Sequence, residues 1–255
     1  MRRISTLLLW IASLASPAAG QGAAGSEGQL EPRYIVDMPT AGMLDRGSMA
    51  LDVDFYQEGG VLLALSAGVL DRLSFGISYG GAHLIGSSSP VMNAMPGVNV
   101  KIRIIEESVA LPAIAIGFDS QGKDGYIKDL DRYTVKSPGL FAAASKNYTM
   151  LGFFSLHGGI NYSFERADND KDFNLFFGAE KSIGPILSLV IEYNMGLNDN
   201  GGDAIGKGKG YLNTALRCAL GNGLTIAVYI KDIIHNGQDD SVANRTVRLE
   251  YARAF

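Results

Sequence analysis

Three histidines, one cysteine and several paired carboxylates are the side chains with chemistry to offer. His83, His157 and His235 stand far apart, and Cys218 has no thiol partner, so neither a zinc-ligand spacing nor a disulfide framework is present. His157 follows Ser155 by two positions, which invites comparison with barrel lipases that use serine and histidine. Acyl transfer there needs a third group to orient the histidine and a pair that faces the membrane. His157 instead shares its parity with Gly159 and Asn161, which places it on an inward polar face. The run Asp168-Asn169-Asp170-Lys171-Asp172 spaces carboxylates at every second residue, as calcium loops do, but lacks the glycine and closing glutamate of the EF-hand pattern. With Asp124, Asp129, Asp131, Asp199, Asp203, Asp239 and Asp240 it reads as solvated outer loops. A divalent cation bridging these loops to lipopolysaccharide is the alternative. Gly201-Gly202 and the glycines from Gly206 to Gly210 lack the strand-to-helix setting of a phosphate loop. The expectation is a protein with no catalytic, cofactor-binding or metal-binding set.

The more informative charges occupy alternate positions within apolar segments. By parity the inward cations are Lys101, Arg103, Arg217, Lys231 and Arg248, and the inward anions are Asp52, Asp54, Glu180, Glu192 and Glu250. The two signs balance. Arg217 is expected beside the strand of Glu192, with Arg248 and Glu250 closing onto Asp52 and Asp54. A selective pore favours a ring of one sign, so balanced charges predict ion-pair ladders in a narrow or closed lumen.

The elements that position these charges have a period of two. In the segment opening at Gly152, Phe154, Leu156, Ile160, Tyr162 and Phe164 hold one parity, and Ser155, His157, Gly159, Asn161 and Ser163 hold the other. Leu187, Leu189, Ile191, Tyr193 and Met195 alternate with Ser188, Glu192 and Asn194, and Val98, Val100, Ile102 and Ile104 alternate with Asn99, Lys101 and Arg103. Strand side chains point to opposite faces in turn, so each segment has one apolar and one polar face. A soluble sandwich alternates too, but these segments run about ten residues, the length of a tilted membrane-crossing strand. Connections also alternate between short and long. Asp71-Arg72, Glu106 to Ser108, Lys146 to Met150, Ser182 to Pro185 and Gly221 to Gly223 are read as short. Gly80 to Pro96, Asp119 to Ser137, Glu165 to Asp172, Leu197 to Lys209 and Ile233 to Asn244 are read as long. The connection near Gln57 to Gly60 breaks the rhythm. Short periplasmic turns, long outer loops and an even strand number describe an outer-membrane barrel. The prediction is an all-β transmembrane antiparallel β-barrel of about twelve strands spanning 48–255.

The ends of the chain agree. Residues 1–20 have the parts of a secretory signal: Arg2 and Arg3, the apolar stretch Leu7 to Leu14, and small residues at Ala18-Ala19-Gly20. No later apolar run approaches the roughly 18–20 residues of a membrane helix, although 47% of the chain is hydrophobic and 19% charged. Residues 21–33 read as a mobile tail. Residues 34–47, with Tyr34, Met38, Pro39, Thr40 and Ala41, read as a periplasmic lead-in or as a plug folded into the barrel mouth. In the last strand Val247, Leu249, Tyr251 and Phe255 share a face and end the chain on an aromatic, like the signal read by bacterial barrel-assembly machinery. A formal net charge of −4 argues against nucleic acid as a partner.

Met38-Pro39-Thr40-Ala41, followed by Leu44, Gly47 and Ser48, resembles the opening of the YjbH-like family of outer-membrane barrels associated with exopolysaccharide production. Gly59 to Leu63, Asp71 to Gly76, Gly117 to Gly122 and His157 to Tyr162 resemble it as well. Better-known members are longer, so this chain resembles a short, single-barrel relative. The resemblance implies a non-enzymatic structural or export-linked role and partners among outer-membrane lipid, lipopolysaccharide, polysaccharide and its export proteins. It supplies no catalytic residues. A narrow porin-like small-solute channel is the alternative, and a barrel enzyme stands behind both.

Overall fold

The computed structural model describes residues 16–17, 31–149, 151–237 and 243–254; most of the signal segment, most of the 21–33 tail and Phe255 lie outside them. Twelve strands follow one another: β1 Ser48–Tyr56, β2 Gly60–Leu70, β3 Leu73–Ala82, β4 Gly97–Ile105, β5 Ala113–Asp119, β6 Gly139–Thr149, β7 Phe153–Tyr162, β8 Asn174–Ile183, β9 Leu187–Asn194, β10 Tyr211–Gly221, β11 Leu224–Lys231 and β12 Asn244–Ala254. Each pairs antiparallel with the next, and β12 pairs with β1, so the sheet closes into a barrel. Two short pieces, Ser16–Pro17 beside β6 and Val91–Met92 beside β3, extend the sheet without entering the ring. Closure leaves no strand edge unpaired, which a sheet must achieve to cross lipid.

Register sorts the side chains as the alternation requires. Leu189 lies opposite Leu216, Leu216 opposite Val228, Val228 opposite Val247 and Val247 opposite Phe55, a continuous apolar row on the outside. Leu63, Phe75, Ile77, Ile116, Leu156, Leu175, Leu189 and Leu216 are all exposed. A soluble protein leaves no such belt uncovered; here lipid covers it. Aromatic side chains gather at both rims. Tyr162 meets Phe164 and Phe173 at the long-loop end, with the Arg166 guanidinium 4.5 Å above the Tyr162 ring, and Tyr148 meets Phe154 at the short-turn end. Among the outward residues of β12, Val247 and Tyr251 are exposed and Leu249 half-buried, so these three share the lipid face.

Two connections differ from the sequence reading. β6 continues through Lys146 to Thr149, because Lys146 and Asn147 pair with Leu156 and Ser155, so the turn falls later. The link between β4 and β5 spans 106–112 rather than ending at Ser108, since Glu106, Glu107 and Pro112 resist a tight pairing there. The link between β1 and β2 is a single 3-10 turn, Gln57–Gly59.

Candidate functional site

The inside of the barrel is occupied by the chain's own N-terminal segment. Residues 31–44 enter from the short-turn end, and Ile35, Val36, Met38, Ala41 and Leu44 are buried. The segment doubles back on itself: Ile35 N–H donates to the Met38 carbonyl at 2.8 Å, Thr40 N–H to the Arg33 carbonyl at 3.1 Å, and Tyr34 bridges Pro39. The wall facing it is built of small side chains. Ala143, Ala215 and Ala227 pack with Phe141, Phe176 and Tyr229 around Ile35, Val36 and Met38, while Ala113 and Ala115 pack with Ala41. At Gly178 a Cβ would sit 2.7 Å from Ile35 Cγ2 and 2.4 Å from the Ile191 carbonyl, so glycine there makes room for the plug.

A turn that leaves its backbone groups unpaired inside a closed barrel must find partners for them. The inward charges supply those partners. Glu192 Oε2 accepts N–H bonds from Val36, Asp37 and Met38 at 2.9, 3.0 and 2.9 Å, three consecutive amides forming an anion nest around one carboxylate. Its Oε1 accepts from Asn213 at 2.8 Å. Lys101 Nζ donates to the carbonyls of Arg33, Thr40 and Gly42 at 3.0, 3.1 and 3.1 Å, which uses every donor an ammonium has. Arg103 donates to the Ala41 carbonyl and pairs with Glu31 and Glu106. Arg217 donates to the Tyr34 and Ile35 carbonyls and pairs with Glu180 at 2.6 Å. Lys231 bridges Asp37 at 3.1 Å and Asp124 at 2.8 Å.

Where the inward charges were expected to pair strand to strand, the pairing holds in part. Arg248 meets Asp54 across β12 and β1, with Nε to Oδ1 at 2.5 Å. Arg217 reaches Glu180, two strands away, and not Glu192, whose carboxylate is held by the plug. Glu250 does not pair with a cation on β1. It lies directly opposite Asp52, an arrangement of like charges that is unfavourable by itself. Arg33 resolves it by donating to Asp52 at 2.7 Å and to Glu250 at 2.9 Å. Arg33 is therefore buried in the lumen, which corrects its placement in a mobile tail. Residue spacing missed it because Arg33 lies outside any strand, where parity has no meaning; the signal in reach was the Asp52–Glu250 opposition itself.

Tyr34 sits at the centre of the fill. Its hydroxyl donates to Asp119 at 2.8 Å, and its ring lies 4.5 Å from Lys123 Nζ and 5.8 Å from the Arg248 guanidinium. Met38 belongs to the same apolar cluster as Phe176 and Val190. Pro39 leaves no N–H to satisfy at the bend, and Ala41 N–H donates to Ser145 Oγ at 3.0 Å. His157 Nδ1 is 2.8 Å from the same Ser145 hydroxyl. The serine beside His157 is thus Ser145 on the neighbouring strand, while Ser155 donates to Asn147. This pair faces the plug, and the Nε2 that a catalytic orienter would hold is buried without a partner among the described residues.

The outer loops form a second polar network. Arg132, fully buried, donates to Asp168 and Asp199 at 2.6 Å each, and Lys136 pairs with Asp168 at 2.7 Å. Tyr211 donates to Asp199 at 2.5 Å. Asp170 Oδ2 accepts the Asn200 and Gly201 amides. Within the acidic run, Asp168 is thus paired with the protein's own cations and Asp170 with its own amides, while Asp172 is exposed. Burial alone would raise the Asp199 pKa, but the Arg132 hydrogen bond and charge outweigh it and hold that carboxylate below the ordinary range. Glu165 goes the other way, raised mainly by burial. The loop 120–138 folds a short hairpin, Lys123–Ile127 against Arg132–Val135, over the mouth, and Asp124 from it reaches Lys231 and Asn244.

Residues 34–126 match the YjbH family, described as "Exopolysaccharide biosynthesis protein YbjH". No curated protein sequence matches the chain. Among solved structures, the KdgM porin is similar with a TM-score of 0.48 at 11% identity, covering 82% of this chain and 99% of its own. An outer membrane channel from Pseudomonas putida F1, COG4313, is similar with a TM-score of 0.39 at 15% identity, covering 84% of this chain and 97% of its own. The closed ring, the apolar belt between aromatic rims and the alternation of short turns with long loops make the protein an outer-membrane β-barrel.

Proposed function

We propose that this outer-membrane barrel, similar over residues 34–126 to a family of exopolysaccharide production, is a plugged, non-enzymatic envelope component with a structural or export-linked role in surface polysaccharide. The observation that carries this reading is the plug. Ten inward charges spread over seven strands are committed to holding residues 31–44 or to one another, rather than lining an aqueous path. A passive pore leaves its polar wall to water.

Planar-bilayer recording of the refolded mature protein, with and without residues 31–44, tests it. The full protein is expected to be silent and the truncated one to conduct. Stable conductance steps from the full protein would instead establish the small-solute channel. That second reading draws on one feature: the plug is held mainly by hydrogen bonds and ion pairs, which water can replace when a segment moves.

A further inference from the structure

Above the plug tip the outer mouth holds a cavity of about 380 Å³, within the range of small-molecule sites. Its floor is Asp37, Lys231 and Asp124, and its wall includes Tyr56, Tyr211 and Asn244. Three buried polar atoms on this lining have no partner among the described residues: Asp37 Oδ2, the Tyr56 hydroxyl and Asn244 Oδ1. Buried polar groups are normally satisfied, by protein, by water or by a ligand, because an unmade bond costs about 1–3 kcal/mol. Here one orphan can donate and the others accept, so the matching occupant both accepts and donates at short range. Hydroxyl groups do this.

Size and sign narrow the choice. The cavity exceeds what one or two waters fill, and Tyr56 and Tyr211 are part of its lining. Asp37, Glu58, Asp124 and Asp232 line it against the single ammonium of Lys231. A carboxylate-bearing ligand would meet like charges.

We infer that this outer cavity is a binding site for an uncharged oligosaccharide segment, seated on the plug tip, that discriminates against acidic glycans. It rests on the proposed polysaccharide role and names the ligand class at the plug's outer face. Asp37 forms the floor whether or not the barrel conducts, so the bilayer recordings and the binding test fail separately.

The test is calorimetric titration of the refolded mature protein in detergent micelles with maltohexaose, cellohexaose and an acidic alginate hexamer, repeated on Tyr56→Phe. That substitution removes a hydroxyl with no internal partner, so the thermal melt should hold or rise. At least one neutral hexamer should bind, the acidic one at least about tenfold more weakly, and Tyr56→Phe should weaken neutral binding about fivefold, the size of one ordinary hydrogen bond. Equal or tighter binding of the alginate hexamer would overturn the inference, as would unchanged affinity in Tyr56→Phe. Absence of binding by all three hexamers at millimolar concentration would also overturn it and leave a cavity that holds water.

Discussion

Glu192 shows how one side chain can fix a segment more than 150 positions away. Its carboxylate, wholly buried on β9, is stabilised by three plug amides and Asn213, and the amides in turn have no other acceptor so well placed. Removing it leaves three N–H groups in a closed lumen. Glu192→Leu is therefore expected to destabilise the plugged state by roughly 3–5 kcal/mol, the range for breaking a buried charged partnership. A cysteine at Val36, in a Cys218→Ser background, would report this. It should resist a water-soluble maleimide in the parent and react in the Glu192→Leu variant. Continued protection would show that the alanine-lined apolar contacts hold the plug unaided. Lys101 and Arg217 work by the same logic with the opposite sign, spending their donors on plug carbonyls. The sequence exposed these three as inward charges through parity alone. What they hold could not be read, because parity gives a direction and not a partner.

At the scale of elements, the outer loops depend on Arg132. It joins loop 163–173 to loop 195–210 through Asp168 and Asp199 from a hairpin that itself belongs to loop 120–138. Arg132→Leu would leave Asp168 with Lys136 alone and Asp199 with no cation among the described residues, and is expected to cost roughly 3–5 kcal/mol of loop order, seen as new protease cleavage in the outer loops with the strands intact. The pH dependence has a definite sign. The folded pKa of Asp199 lies below its unfolded value, so its contribution is fully present above the ordinary aspartate range, near about 4. It is lost as pH falls through the depressed folded value. Loop protection measured by hydrogen exchange should therefore show no loss from neutral pH down to about 4, where the raised Glu165 can only add to it as pH falls, and should decline below that. Protection that already declines between about pH 7 and 5 would point to another group. The acidic run at 168–172 was visible as a loop, but its cations, Arg132 and Lys136, come from a loop more than thirty positions earlier, and no local pattern connects them.

The whole molecule is organised by two opposite demands on one sheet. Lipid outside requires an apolar belt, and Leu216, midway along β10, stands on it with Leu189 and Val228 at either side. Leu216→Arg is expected to cost about 2–4 kcal/mol, as arginine does near the membrane midplane, measured by reversible urea unfolding in lipid vesicles. A cost near zero would mean that this face is covered by protein instead. The plug inside demands the reverse, a polar wall with small residues where its apolar tip packs. Ala143, Gly178, Ala215 and Ala227 meet that second demand.

The strand period, the parity of each charge, the strand number and the short-and-long rhythm of connections were all determined by the sequence itself. They follow from local rules: side chains alternate on an extended chain, and turns need turn residues. The small errors at Lys146 to Met150 and Glu106 to Ser108 lie where polar residues continue a strand or where proline delays one. The tertiary structure alone decided that residues 31–44 run inside the barrel and that Arg33 separates Asp52 from Glu250. It also decided that the opposing charges serve the plug as much as each other. Those contacts join residues separated by up to 217 positions, and they exist only once β12 closes onto β1. Until that closure there is no lumen to fill, so the order of residues offers the plug only as one of two readings of 34–47 and does not choose between them.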